Sequence, residues 1–479
     1  MRRKTIAVLC FLLAPSLCWG QDDRRPSGQQ QPPTKADAEF LQAADEVMAQ
    51  MSKLLSLPIR EPLKRSVRSR EEIRQFLIRQ MKDDKDDAKR YADRRALEAL
   101  GLIPKDYPLD QKLLALLTEQ IAGLYDPKER EFFIADWTNP AEQRMIMAHE
   151  LTHALQDQYF HVEQWEEAVK SNDDAQLARE SVLEGSAMIA MIDYLLRTTG
   201  KSSRDISDLD PTMLLGDVAD SPELSQAPLI LQDEIVFPYV PGASFVQRAL
   251  KEWSGWPDLH KLFENPPAST QQILHPDLYF RGVAPAKIDL APVTKAVPAG
   301  WKKLDENVLG EFGTNEVLKQ FLGKDRADDL APSWTGDRYA IYQRESGTRT
   351  LLVIRMKLSD ETAAARFFGA YSELLEKKNE NRKALLRRPN FFSFETPDGG
   401  VFLRCVADEC LIAEGSTREM FEGMTRAIHW PAGPLAPRPP AQPGTTSVRQ
   451  GSAPAGRAAL RSGPSPAIPQ QPVPVSPAL

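Results

Sequence analysis

The period of the apolar residues changes along the chain, and the changes predict where helices give way to strands. Over about 37–56, 69–82, 86–99 and 110–122, apolar residues return every third or fourth position, the pattern of amphipathic helices. In the last of these Leu113, Leu114, Leu116, Leu117 and Ile121 point inward, and Gly123 ends the helix. Leu124-Tyr125 and Glu131-Phe132-Phe133-Ile134-Ala135 then flank the turn Asp126-Pro127-Lys128-Glu129, a β-hairpin signature. Helical periodicity returns after Asn139-Pro140-Ala141-Glu142, where Asn139 can cap, Pro140 suits the first position and Glu142 completes a capping box. A second long helix is expected from Asp173-Asp174 through Arg197. The stretch 200–235 reads as an irregular acidic surface excursion, and a helix over about 243–254 follows Tyr239. Ser269 and Gln272 form a capping box for a short helix that Pro276 stops. From about Trp334 a second unit is expected, with strands near 339–343, 350–356, 391–395, 401–405 and 410–414. Its helices are expected over 360–377, opened by Ser359, and 417–427. The fold class is α+β: a mostly helical first domain with a small β-sheet, then a smaller C-terminal α+β domain.

The two ends have different compositions from the body. Arg2, Arg3 and Lys4 precede an apolar run from Thr5 to Leu17, and Cys18-Trp19-Gly20 fits a cleavage site, so 1–20 is expected to be an export signal. Residues 21–36 read as a polar linker. The last 49 residues hold 13 of the 38 prolines and no acidic residue, so 431–479 is expected to be a disordered Pro-rich tail. Between them lie the expected domains 37–299 and 300–430. No other segment is long and apolar enough for a membrane span, so the mature chain is expected to be periplasmic or extracellular. The formal charge is −7; the signal carries three cations and the tail four, so the body between carries −14. That acidic body argues against nucleic acid as a partner. Cys405 and Cys410 bracket four residues between apolar runs, and in an exported protein a cross-strand disulfide is expected there.

The candidate chemistry lies in Met145-Ile146-Met147-Ala148-His149-Glu150-Leu151-Thr152-His153, an HExxH motif inside a predicted helix. Four residues apart, His149 and His153 lie on one helical face, where two imidazoles can hold one Zn²⁺. Glu150 points to a neighbouring face, within reach of a metal-bound water without ligating the ion. The chain has only six histidines, so the motif arises by chance in fewer than about one such chain in a hundred.

Two histidines leave a catalytic zinc one protein ligand short. Glu184 sits in the apolar centre of the 173–197 helix, where a carboxylate is costly unless paired or coordinated, and Gly185 and Ala187 would let that helix approach the zinc helix. Glu180 and His161 are competing ligands. His275, at the C-terminal end of its short helix, and Tyr239 are candidate donors to an oxyanion. Asp157 continues the His149/His153 stripe by another turn, as an outer-sphere orienter or a solvated helix-end carboxylate.

These residues resemble the gluzincin zinc metallopeptidases, whose HExxH is followed by a glutamate ligand on a later helix; His149 to Ala154 is similar to the zinc helix of thermolysin-like enzymes. The 31 residues from His153 to Glu184 exceed the spacing in those enzymes, and the metzincin pattern is absent, its glycine and third histidine falling at Gln156 and Tyr159. Over about 100–280 the chain also resembles a family of largely uncharacterised exported bacterial metallopeptidase-like proteins. That likeness rests on Gly123 to Pro127, His149 to Gln158, Leu183-Glu184-Gly185 and Ser269 to Pro276. The resemblance implies a zincin-like catalytic domain and hydrolysis of peptide bonds in a peptide or protein substrate. Zn²⁺ would be held by His149, His153 and Glu184, with Glu150 as general base toward the zinc-activated water and His275 or Tyr239 at the oxyanion. Two other readings stand beside it: a zinc hydrolase of cell-wall or other non-protein bonds, and a non-catalytic scaffold that keeps zinc structurally.

Overall fold

The structure is a computed structural model, and it describes residues 9–11, 35–83, 87–138, 140–210 and 221–431. The expected signal, linker and Pro-rich tail therefore lie almost wholly outside the described residues, as does the cap Asn139. The described residues form one compact unit. Its architecture is mixed α+β.

The first part is helical. Helices α1 (Lys35–Leu55), α2 (Arg70–Asp83), α3 (Asp87–Leu100) and α4 (Leu109–Gln120) fall where the three-to-four-residue period placed them. The hairpin β3 (Ile121–Asp126) and β4 (Glu131–Ala135) leads into α5 (Pro140–Phe160), then α6 (Val162–Glu167) and α7 (Asp173–Leu196). Two short strands join that hairpin, β1 (Leu9–Phe11) and β2 (Lys64–Arg68), giving the sheet order β1-β3-β4-β2. β2 runs parallel to β4. Its sequence, Lys64-Arg65-Ser66-Val67-Arg68, carries no apolar alternation, because at the sheet edge its arginines serve as pairing groups: Arg68 meets Glu131 at 2.7 Å. Asn172 caps α7 by accepting from Ala175 N, so Asp173 and Asp174 fall in the first turn rather than at the cap.

The excursion expected over 200–235 is partly a correction. Residues 211–220 are outside the described set, but α8 (Leu229–Val236) is a helix that buries Ile230, Leu231 and Ile235. Next come α9 (Val240–Glu252), longer at its start than its periodicity suggested, and the short α10 (Thr270–Leu274).

Beyond residue 300 the chain forms a seven-stranded sheet whose neighbours all run antiparallel. The strands are β5 (Trp301–Asn307), β6 (Trp334–Arg344), β7 (Thr350–Leu358), β8 (Lys383–Arg388), β9 (Phe391–Thr396), β10 (Gly399–Val406) and β11 (Glu409–Ser416), in the order β5-β6-β7-β11-β10-β9-β8. The two edge strands, β5 and β8, carry no apolar period in the sequence because they are rich in charge, β8 being largely exposed and β5 half-buried. Side chains alternate faithfully in the central strands. Ile341, Ile354, Leu403 and Ile412 join the large core shared with the helical part and with α12 (Glu361–Lys378), while Tyr342, Val353, Phe402 and Leu411 form a second core. That second core is closed by α13 (Arg418–Ala427) through Met420, Phe421 and Met424. Asp360, not Ser359, caps α12. Cys405 and Cys410 lie directly opposite each other across β10 and β11 and are joined by a disulfide.

Candidate metal centre

Helix α5 is buried because its apolar residues surround it: Ile146, Met147, Ala148, Leu151, Ala154 and Leu155 are all inaccessible. That burial takes His149, Glu150 and His153 out of water with them. Helix α7 packs beside α5 and is buried from Ser181 to Tyr194, so Glu184 enters the same interior.

Three donor atoms meet there. His149 Nε2 lies 3.2 Å from Glu184 Oε2 and 3.1 Å from His153 Nε2, and His153 Nε2 lies 3.6 Å from the same Glu184 oxygen. A tetrahedral zinc with bonds of about 2.0–2.1 Å spaces its ligand atoms by about 3.3 Å, so this triangle has the right edges. Among the described residues, these three are the cluster of metal-ligand type. Burial pushes His149 down to about 4 and His153 to about 3, which keeps both rings neutral, the form that ligates a metal. The same desolvation raises the Glu184 carboxyl, opposed by hydrogen bonds from His149 and Tyr239.

The protons sharpen the fit. Gln156 Nε2 faces the Leu183 carbonyl at 3.5 Å, and a carbonyl only accepts, so Gln156 presents Oε1 to His153 Nδ1 at 2.8 Å. His153 therefore carries its proton on Nδ1 and turns the Nε2 lone pair into the triangle. Two nitrogens and a carboxylate oxygen then converge on a space that only one proton, on His149 Nε2, would otherwise fill. That donor set suits a divalent cation.

Glu150 stands beside the cluster, its Oε2 accepting from Tyr125 N of β3 at 2.7 Å. The Tyr125 hydroxyl donates to Asp157 Oδ2 at 2.9 Å, and Asp157 Oδ1 also takes Val162 N at 3.1 Å. Asp157 is thus tied to the strand that holds Glu150 and is not a solvated helix end.

Tyr239 is brought to the cluster. It hydrogen-bonds Glu184, and its ring stacks 6.3 Å from that of His149. A close helix crossing puts it there. A Cβ on Gly185 would come within 2.3 Å of the Gly242 backbone, and one on Gly242 within 2.5 Å of Ser181 O. Gly185 therefore admits α9, with Tyr239 at its head, rather than easing the approach of α5 expected from the sequence.

His275 is engaged by a different acid. Its Nε2 pairs with Glu311 Oε1 at 2.8 Å, and that carboxylate raises its pKa. Its helix is tied through Thr270 to Asp174, ten residues before Glu184 and so about 15 Å along α7. Neither competing ligand belongs to the cluster: His161 is an exposed residue in the left-handed region (φ 51°), and Glu180 lines a separate cavity beside Asp173. Two site residues escaped the sequence reading, Gln156 and Tyr125. Gln156 had a legible signal: a polar residue between Leu155 and Asp157, three positions after His153 and on the buried side. Tyr125 lies in the Gly123-to-Pro127 stretch that carries the resemblance, but its contact with Glu150 is made by its backbone N–H, which no residue type marks.

A family model described as a domain of unknown function, DUF8575, matches residues 297–425. The match covers the seven-stranded sheet with its helices and leaves the metal cluster outside it. No curated protein and no solved structure matches the chain.

Proposed function

We propose that the chain is an exported zinc metallopeptidase of gluzincin type, with a zincin-like domain that hydrolyses peptide bonds in a peptide or protein substrate. The observation that carries this reading is the triangle of His149 Nε2, His153 Nε2 and Glu184 Oε2, with edges of 3.1, 3.2 and 3.6 Å and Glu150 alongside. A zinc ion held there supplies Lewis acidity and a nucleophile at neutral pH. Three protein donors, among the described residues, are one fewer than a closed structural site uses, which favours catalysis over a scaffold. An intact Glu150 favours it too, since a structural site needs no base.

Glu150, steadied by Tyr125 N, accepts the proton of the attacking water and delivers it to the leaving nitrogen. Tyr239, with its hydroxyl on Glu184, is the donor to the oxyanion. The edge of β3 suits an extended substrate: Leu9–Phe11 already pairs there antiparallel, and removal of an export signal would free the position for another strand. The Cys405–Cys410 disulfide supports an oxidising, extracytoplasmic location.

Casein or a random peptide library, incubated with wild type and with Glu150→Gln, tests the reading. Wild type should bind one zinc and cleave, and the variant should bind zinc equally and cleave about 10²–10⁴-fold more slowly. A zinc-loaded wild type that cleaves nothing the variant spares sinks the peptidase assignment.

A further inference from the structure

We infer that Gln156 is a positioning residue for the metal: it selects the nitrogen that His153 offers and ties that ligand to the helix carrying Glu184. The inference rests on the metal-binding reading of the cluster. Gln156 is wholly buried, three residues after His153 on α5. Its Oε1 receives the His153 Nδ1 proton at 2.8 Å, and its Nε2 reaches the carbonyl of Leu183, the residue before Glu184, at 3.5 Å. One amide therefore touches a ligand on one helix and the backbone adjoining a ligand on the other.

Each end of the amide has a separate consequence. Without the acceptor at Nδ1, a neutral imidazole is free to carry its proton on either nitrogen, and the tautomer protonated on Nε2 cannot ligate. With the acceptor buried and fixed, that tautomer costs a buried hydrogen bond. At the other end, the Leu183 contact sets the spacing between α5 and α7, on which the 3.6 Å edge between His153 Nε2 and Glu184 Oε2 depends. His149 lacks such a partner: its buried Nδ1 has no hydrogen-bonded neighbour among the described residues. Gln156 is therefore the partner that fixes a tautomer within the pair, while His149 is held by Glu184 and the Tyr239 ring.

The next residue does a different job. Asp157 reaches Tyr125, whose backbone holds Glu150, so the turn after the motif braces ligand and base through two adjacent side chains. Substitutions at the two positions should separate, Gln156 acting on metal affinity and Asp157 on turnover at full zinc occupancy.

The test is zinc affinity of the full-length protein, by competition with a chromophoric chelator, together with the visible spectrum of the Co²⁺ form. Gln156→Leu keeps the volume and removes both polar contacts; its zinc affinity should fall about 10–100-fold and its Co²⁺ bands should shift. Gln156→Glu keeps an acceptor for Nδ1 and should recover most of that loss. Thr152→Val, equally buried on α5 with its hydroxyl on Ala148 O, controls for packing and should bind zinc like wild type. Should Gln156→Leu bind zinc within threefold of wild type, or Gln156→Glu bind as weakly as Gln156→Leu, the positioning role is overturned. Should Gln156→Leu fail to fold, Gln156→Met takes its place: it too removes both polar contacts at similar volume, and zinc binding within threefold of wild type overturns the role. A wild type that binds no zinc would instead remove the metallopeptidase reading on which the role rests.

Discussion

Where α5 meets α7, His149, Glu150, His153, Gln156 and Glu184 are buried among Leu151, Leu155 and Leu183; at the same depth in the β10–β11 hairpin lie Phe402, Leu403, Leu411, Ile412 and Ala413. Both interiors are dry, but only one is made of groups that lose free energy by leaving water. The sheet gains from burial and from a complete antiparallel ladder. The helical site accepts desolvated imidazoles and a carboxylate in an arrangement whose natural counterweight is a cation. The two regions should therefore fail differently, the sheet losing stability and the site losing function.

Glu184→Ala breaks this comparison most strongly. It should abolish stoichiometric zinc binding and hydrolysis while the metal-free protein still folds, the loss of a costly buried carboxyl offsetting much of the cost of leaving His149 and Tyr239 without their acceptor. Leu403→Ala should do the reverse, costing about 2–5 kcal/mol with zinc affinity intact. Metal analysis and thermal melts of both variants check this. A metal-free Glu184→Ala that cannot fold would make the cluster part of the scaffold.

Next in size is Tyr239→Phe. The hydroxyl touches Glu184 while the ring stays stacked on His149, so kcat should fall about 10²–10³-fold with zinc content unchanged. Steady-state kinetics with a peptide substrate at full zinc occupancy measure it. A change confined to zinc affinity would reassign the hydroxyl from the oxyanion to the metal ligand it touches.

The same contrast decides what the sequence could tell. In the sheet, unbroken apolar runs such as Leu351-Leu352-Val353-Ile354 mark strands buried on both faces, so the central strands were legible and the charged edges β5 and β8 were not, while the division of those side chains between two cores is seen only in the structure. In the helical half the three residues of the cluster were legible from spacing, since His149 and His153 share a helix face and Glu184 is an acid in an apolar run. What spacing cannot carry is tertiary aim. Gly185 was read as easing the approach of the zinc helix and instead admits Gly242 of α9. His275 has a chemistry fit for an active site, but the chain takes it to Glu311. Tyr125 meets Glu150 through a backbone N–H, which every residue type except proline possesses, and only its hydroxyl, on Asp157, depends on its side chain.

A smaller effect sharpens the comparison from the sheet side. Replacing Cys405 and Cys410 by serine opens a short loop within an already paired hairpin, so stability should fall by only about 2 kcal/mol. Denaturant melts of the zinc-loaded double variant should show that loss with zinc affinity and turnover unchanged. Altered turnover would mean that strain in the sheet reaches the helical site.

The last contrast is a pH dependence in which the two regions have opposite signs. At the N-terminus of α11 (Gly310–Leu322), Asp337 accepts from Leu309 N and Gly310 N at 3.0 Å and from Trp334 Nε1 at 2.9 Å. Asp174 accepts from Thr270 N at 3.1 Å beside it. Burial pushes Asp174 up to about 7 and Asp337 to about 6. Above the ordinary carboxylate value of about 4, the unfolded chain has released protons that the folded seam still holds, so stability falls as pH rises until both groups ionise. His275, raised by Glu311, slopes the same way, its contribution present below its unfolded value and lost as pH rises through the folded one. In the metal-free site, His149 and His153 are depressed to about 4 and about 3, so stability there is lost as pH falls below about 6.5. A bare melting curve mixes the two. The difference between wild type and Asp174→Asn cancels the histidines and isolates the seam: wild type should gain on the variant as pH falls from about 8 toward 5, and the gap should stay flat above about 8. A gap that does not change across that range would mean Asp174 is ionised throughout, with Thr270 and the α11 N-terminus fully compensating its charge.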